Sequence, residues 1–169
     1  DRVLVLADAV NPSTGRVAPV REWLDAMQEK QGATLVLDDA HGVGVLGPHG
    51  RGLLDELGLW AHANGGPPVG NVALAMGATL AKALGGFGGI IAGTSEFIDR
   101  VRHSSGTFGG ASAPASAVAG STAKALDIVA STPALRHALG ENVRHLRSGL
   151  RGLGLDVPEG RTAHVGVVA

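Results

Sequence analysis

A chain of 169 residues with 44% apolar and 17% charged side chains has the size of about one ordinary domain and enough apolar material to bury a core, which excludes disorder. A net charge of −1, 3% aromatics and no Tyr exclude the basic footprint and the stacking platforms by which proteins hold nucleic acid, and give no attraction to anionic lipid. Without Cys there are no disulfides, no thiol catalysis and no Cys-ligated zinc.

Glycine is the outlier: 27 residues are about 16% of the chain against a usual level of about 7%. No Gly-X-Y period organises them, so they are expected in tight turns and at close backbone approaches. No apolar run nears the roughly 18 residues of a membrane span, and the opening residues lack a signal-peptide pattern. The expectation is a cytoplasmic protein without a membrane partner.

In chain order, Val3 to Ala7 is a continuous apolar run expected of a strand buried on both faces of a parallel sheet. Asn11-Pro12-Ser13-Thr14-Gly15 is turn chemistry. Pro19 opens a predicted helix with Val20, Trp23, Leu24 and Met27 on one face, ending near Gly32. Thr34 to Leu37 is a second buried strand that runs into Asp38-Asp39-Ala40-His41. A glycine-dense turn through Gly52 precedes a short helix over Leu53 to Leu57. After a loop at Gly65 to Pro68 come a third strand, Asn71 to Met76, and a fourth, Ile90 to Ala92. Ser95 is the expected N-cap of a helix through His103. Pro114 to Val129 and Pro133 to Leu153 are predicted as two long helices. Val165 to Ala169 is again strand-like. Strands alternating with helices predict an α/β fold with a mostly parallel sheet flanked by helices. Strand-like runs at both ends point to a central slice of a longer protein.

Gly42-Val43-Gly44-Val45-Leu46-Gly47 matches the dinucleotide pattern G-x-G-x-x-G, but the context fails. Polar residues separate it from the strand, and Pro48 and Gly50 break the helix that would hold a pyrophosphate. No Walker A motif is present. The segments that carry chemistry are Asp38-Asp39-Ala40-His41 and Thr79-Leu80-Ala81-Lys82-Ala83-Leu84-Gly85-Gly86. In such sheets ligands bind beyond the carboxyl ends of the strands, where Asp38 to His41 falls. Lys82 on its own has two readings, a surface loop residue or a partly desolvated amine suited to bonding a carbonyl. A strand-end carboxylate upstream favours the second. Pyridoxal phosphate requires a lysine for its aldehyde and an Asp against its ring nitrogen.

Asp38 through Gly47, continuing Gly50-Arg51-Gly52, resembles the signature of the α-oxoamine synthases, pyridoxal 5'-phosphate-dependent acyltransferases of fold type I. Thr79 to Gly86 resembles their lysine segment. Asp8-Ala9-Val10 through Pro19 resembles the strand and turn that precede the Asp, and Phe108 to Pro114 the stretch that reaches the neighbouring subunit's cofactor. The resemblance covers nearly the whole chain in the family's order. It implies Lys82 as the lysine bonded to the cofactor, Asp38 as the partner of the pyridine nitrogen, His41 at the 3'-oxygen and Thr79 at a phosphate oxygen. The implied reaction condenses an amino acid with an acyl-CoA in a homodimer. An aminotransferase, or a truncated non-catalytic homologue, is the alternative.

Several features depart from the family's pattern. Pro12 stands where Ser is frequent, and Gly109-Gly110 replaces a polar pair. The stretch from Asp38 to Lys82 is long, with its excess near Ala61 to Gly70. The family's cofactor-stacking His and carboxylate-binding Arg have no match here. The expected division is 1–132 as part of the cofactor-binding large domain, and 133–169 as a linking helix and the start of a small C-terminal domain. The remaining polar residues have plainer readings. His137 and His145 share a helix face with Arg136, Arg144 and Arg147, expected to be solvated. His49, His62, His103 and His164 show no metal-ligand spacing. Trp23 is expected in the core, and Arg100 and Arg102 at an exposed helix end.

Overall fold

The computed structural model describes residues 2–167. Strands β1 (Leu4–Asp8), β2 (Ala33–Asp38), β3 (Val72–Thr79) and β4 (Gly89–Ile90) form one sheet in that spatial order. The first three are mutually parallel and β4 is antiparallel to β3. Helices α1 (Val20–Met27), α2 (Leu53–Glu56), α3 (Ser95–Ser104), α4 (Ser116–Ser131) and α5 (Pro133–Gly152) complete the α/β architecture. No helix among the described residues is long and apolar enough to cross a membrane.

The parallel register decides which side chains share a face. Leu4, Thr34 and Ala73 form one row, Leu6, Val36 and Ala75 the next, and Asp8, Asp38 and Gly77 the last. Because side chains alternate along a strand, Leu35, Leu37, Val72, Leu74 and Met76 point the other way. They meet Val20, Leu24 and Met27 of α1, together with Leu53 and Leu54 of α2, in the buried core. Each such aliphatic side chain contributes about 1.5–3 kcal/mol when fully removed from water. The core therefore fixes the register, and the register carries Asp8 and Asp38 to one strand end on the opposite face.

Several sequence expectations need correction. Leu4 and Leu6 of β1 are 60% and 70% exposed, so the sheet is covered on one face rather than both. Helix α1 stops at Met27. Beyond it Gln28 turns its amide Nε2 to the carbonyls of Leu24 and Val69 and accepts the N–H of Asn71, which ties the helix end to the loop before β3. The third strand runs on to Thr79. The fourth shrinks to Gly89–Ile90, because the carbonyl of Ala92 is taken by the Asn64 side chain instead of a neighbouring strand. Thr94, not Ser95, caps α3, accepting the N–H of Phe97 at 3.2 Å. Val165 to Val167 form no strand, and the rest of that predicted run lies outside the described residues.

Arg147 is the largest departure on α5. Instead of facing solvent it is buried, 3% exposed. It donates to the carbonyls of Pro158 at 2.6 Å, Thr162 at 3.3 Å and His164 at 2.6 Å. A guanidinium has five N–H donors and suits several carbonyls at once. Nothing in the local sequence distinguishes Arg147 from its exposed neighbours, since the carbonyls that bury it come from the segment beyond the helix. Thr162 is fully buried and donates to the carbonyl of Gly15 at 2.7 Å. Together these contacts hold the chain after α5 against the turn that follows β1.

Candidate active site

Asp39 organises the turn after β2. Its carboxylate is fully buried, and its Oδ2 accepts the N–H of Leu53 at the start of α2 at 2.6 Å. Gly42 and Gly52 permit this: a Cβ on either would come within about 2 Å of an Asp39 oxygen. Val43 and Arg51 pair antiparallel, and Gly44 donates to the carbonyl of Gly50 at 2.8 Å. A second carboxylate, Asp55, accepts the N–H groups of His49 and Arg51 and pairs with His49 Nδ1 at 3.0 Å. These contacts hold Asp55 below the usual carboxylate range, against the upward push of burial. The glycine-rich stretch is thus a turn wrapped around two carboxylates. The N–H at the start of α2 is already taken by Asp39, which leaves no nest for a pyrophosphate there.

With the turn fixed, Asp38 projects from the end of β2 into solvent, and its Oδ1 accepts the N–H of Ala40 at 2.9 Å. Asp8, its register partner, ends β1 on the same face. Thr79 ends β3, and its hydroxyl donates to Gly88 at 3.2 Å while accepting the N–H of Ala81 at 3.2 Å. Asp8, Asp38 and Thr79 line a cavity of about 1070 Å³ whose far wall includes Phe97, Arg102 and Phe108. Arg102 is exposed, as expected, yet borders this cavity.

His41 and Lys82 meet on the other side of Ala40. Lys82 is exposed on a surface turn, not the partly desolvated amine the sequence favoured; the turn is closed by the N–H of Gly85 on the Lys82 carbonyl at 2.9 Å and of Gly86 on that of Leu80 at 2.8 Å. Its Nζ lies 3.0 Å from His41 Nε2. Both residues line a second cavity of about 550 Å³, bordered by Val43, Val45, Arg136 and His164. Ala40 borders both cavities. Burial, then the Lys82 ammonium and the nearby His164, hold His41 below its ordinary pKa, more than Asp38 and Asp8 raise it. A neutral His41 can accept from Lys82.

The structure therefore brings His41 and Lys82 together, and sets Asp38 and Thr79 in the adjoining cavity. Two residues at this site escape sequence reasoning. Asp8 had a signal: like Asp38 it follows an apolar strand directly. His164 had none, because its ring reaches His41 only through the return of the chain after α5. Their centroids are 4.2 Å apart with planes at 89°. Among the described residues no three His, Asp or Glu side chains gather as a metal site.

The family model for aminotransferase class I and II matches residues 1–168. This chain belongs to that family. Its similarities fall among the α-oxoamine synthases within it. It is 34% identical over 161 residues to the 8-amino-7-oxononanoate synthase of Thermosipho melanesiensis, covering 95% of this chain and 38% of that protein. To the serine palmitoyltransferase of Bacteriovorax stolpii it is 36% identical over 155 residues, covering 91% and 34%. The fold matches the serine palmitoyltransferase of Sphingomonas wittichii at a TM-score of 0.78 and 26% identity, covering 96% and 38%. A serine palmitoyltransferase structure with PLP as its internal aldimine matches at 0.81, 23% identity, covering 99% and 40%. The chain spans under two fifths of these curated relatives' length.

Proposed function

We propose that this chain is part of an acyltransferase that condenses an amino acid with an acyl-CoA thioester on pyridoxal 5'-phosphate, and that Lys82, His41, Asp38 and Thr79 form its cofactor site. The observation that carries the reading is the 3.0 Å contact of Lys82 Nζ with His41 Nε2, just past the strand end that presents Asp38. The groups suit the cofactor. There is an amine for its aldehyde and a solvent-facing carboxylate for its ring nitrogen. There is also an imidazole whose Nδ1 is buried without a partner among the described residues.

When bound, pyridoxal phosphate serves as an electron sink for a carbanion at the amino acid's α-carbon. Lys82 would hold the cofactor through Nζ, and with that nitrogen free would take the proton from the amino acid's α-carbon. Asp38, its carboxylate oriented by the Ala40 N–H, would keep a proton on the ring nitrogen. His41, kept neutral, hydrogen-bonds the cofactor's 3'-oxygen. The Thr79 hydroxyl, which donates to the Gly88 carbonyl in the free protein, would hold a phosphate oxygen.

The same reading makes the parent protein a cytoplasmic homodimer. Phe108 to Pro114, exposed throughout, supports a contact with the neighbouring subunit. Residues 1–132 belong in this view to the cofactor-binding large domain, and 133–169 to the linking helix and the start of a small one.

The test is to load the full-length protein with pyridoxal phosphate, reduce with borohydride and map the modified peptide. Label is expected on Lys82; label on Lys30 or Lys124 with Lys82 untouched overturns the assignment. Release of CoA from a short acyl-CoA in the presence of glycine or alanine tests the reaction. Amino-group transfer to a 2-oxo acid without CoA release would make the enzyme an aminotransferase instead.

A further inference from the structure

We propose that His164 is a positioning residue for the Lys82–His41 pair, holding the His41 imidazole edge-on so that Nε2, rather than Nδ1, faces the Lys82 amine. The inference rests on the reading of Lys82 as the reacting amine, but it concerns the geometry of the free protein. An ammonium can only donate. At 3.0 Å from Lys82 Nζ, His41 Nε2 must therefore be the acceptor, and the ring proton belongs on Nδ1. Among the described residues that nitrogen is buried without a hydrogen-bond partner. Nothing hydrogen-bonded at Nδ1 fixes the ring, so its orientation has to come from packing. The ring packed against it is His164, with centroids 4.2 Å apart and planes at 89°.

His164 is itself held by contacts that do not involve the site. Arg147 grips its carbonyl and those of Pro158 and Thr162, and Thr162 is tied to the Gly15 carbonyl at 2.7 Å. The imidazole at 164 is thus delivered to one place by α5 and by the turn after β1. The charges around His41 favour the neutral acceptor form. Burial first, then Lys82 and His164, oppose a positive charge on His41 more than Asp38 and Asp8 favour it. The Arg136 guanidinium, on the wall of the same cavity, is committed to the carbonyls of Val129 and Pro48. A filler residue would do none of this, since it would set neither the tautomer of His41 nor its affinity for a proton.

The experiment is a nitrogen-15 NMR titration of the His41 imidazole in the full-length, cofactor-free protein, as wild type and as His164→Ala, His164→Leu and His164→Phe. The wild type is expected in the Nδ1–H tautomer, titrating below an ordinary histidine. In His164→Ala and His164→Leu the tautomers mix and the midpoint moves up. His164→Phe keeps an edge-on ring and restores the tautomer. The rate at which pyridoxal phosphate is trapped on Lys82 by borohydride falls on the order of tenfold in the Ala and Leu variants, as expected of a misoriented reacting group. Should His164→Ala fail to fold, His164→Leu fills the space without a ring and gives the same readout. An unchanged His41 tautomer and midpoint in the ring-less variants overturns the proposal. Because the titration needs no turnover, a protein that fails to condense acyl-CoA but shows these shifts refutes the function and leaves the positioning intact.

Discussion

His41 Nε2 and Lys82 Nζ lie 3.0 Å apart although 41 positions of chain separate them. The parallel pairing of β2 with β3 sets that distance, because the turn carrying His41 leaves β2 at the same sheet end where the chain leaves β3 toward Lys82. Between them the chain detours through α2 and the loop of residues 61–70 without disturbing the register. Asn64 anchors that loop, its Nδ2 donating to the Met76 carbonyl and its Oδ1 accepting the Met76 N–H, each at 2.8 Å. The length of this stretch is therefore accommodated outside the site.

His41→Asn tests whether the imidazole assists Lys82. The variant keeps a polar group but removes the acceptor that faces Nζ. Trapping of pyridoxal phosphate on Lys82 is expected to slow by about tenfold to a hundredfold, with the thermal midpoint little changed, since His41 makes no other hydrogen bond among the described residues. An unchanged trapping rate would mean that the 3.0 Å contact has no part in the chemistry.

Asp38→Asn removes the charge expected to hold a proton on the cofactor's ring nitrogen and nearly preserves shape. The condensation rate should fall by orders of magnitude, because the stabilisation acts on charge that develops in the transition state. Asp8→Asn, one strand over on the same row, should cost far less. Equal losses at the two positions would assign the role to the wrong carboxylate.

What the sequence made legible follows from range. The strand–helix alternation, the strand-end position of Asp38 and the glycine-built turn all rest on local patterns, and the structure has each of them. The open face of β1 was not legible, since Leu4 and Leu6 look like core in any window and only the arrangement of the other elements leaves them uncovered. The burial of Arg147 and the arrival of His164 beside His41 were equally hidden, because both depend on the chain's return after α5. Asp39 stood in plain view beside Asp38. That it turns inward to Leu53 follows from Gly42 and Gly52, which let the backbone close over it.

Arg147→Met tests the clip on the returning segment. The substitution keeps much of the side chain's bulk but strips the donors from the carbonyls of Pro158, Thr162 and His164. A hydrogen bond to a charged group contributes about 1.5–3 kcal/mol, so the loss of stability should reach at least the lower end of that range in a denaturant titration. Amide hydrogen exchange should accelerate between residues 158 and 166 while the β2 and β3 amides stay protected. Acceleration spread evenly over the sheet would show that Arg147 supports the whole fold rather than this segment.

Asp39 gives the protein a specific dependence on pH. Burial pushes its carboxyl from 3.8 up to about 6, more than the Leu53 N–H pulls it down. Between about pH 4 and pH 6 the folded state therefore binds more protons at this position than the unfolded chain does, and the Asp39 contribution to stability falls as pH rises through that window. At roughly 1.4 kcal/mol per pKa unit the change is on the order of 2–3 kcal/mol. His41 works in the opposite sense, since its depressed pKa makes the folded state gain stability as pH rises toward 6.5. A raw stability profile of the wild type would mix the two. The clean measurement is the difference between wild type and Asp39→Asn, which keeps an acceptor for the Leu53 N–H but cannot titrate. Relative to the wild type, the Asn variant should gain about 2–3 kcal/mol in denaturant unfolding between pH 4 and pH 7, with most of the change below pH 6. A difference that stays constant across that range would mean that the Asp39 carboxyl titrates alike in the folded and unfolded states, so that burial does not raise it.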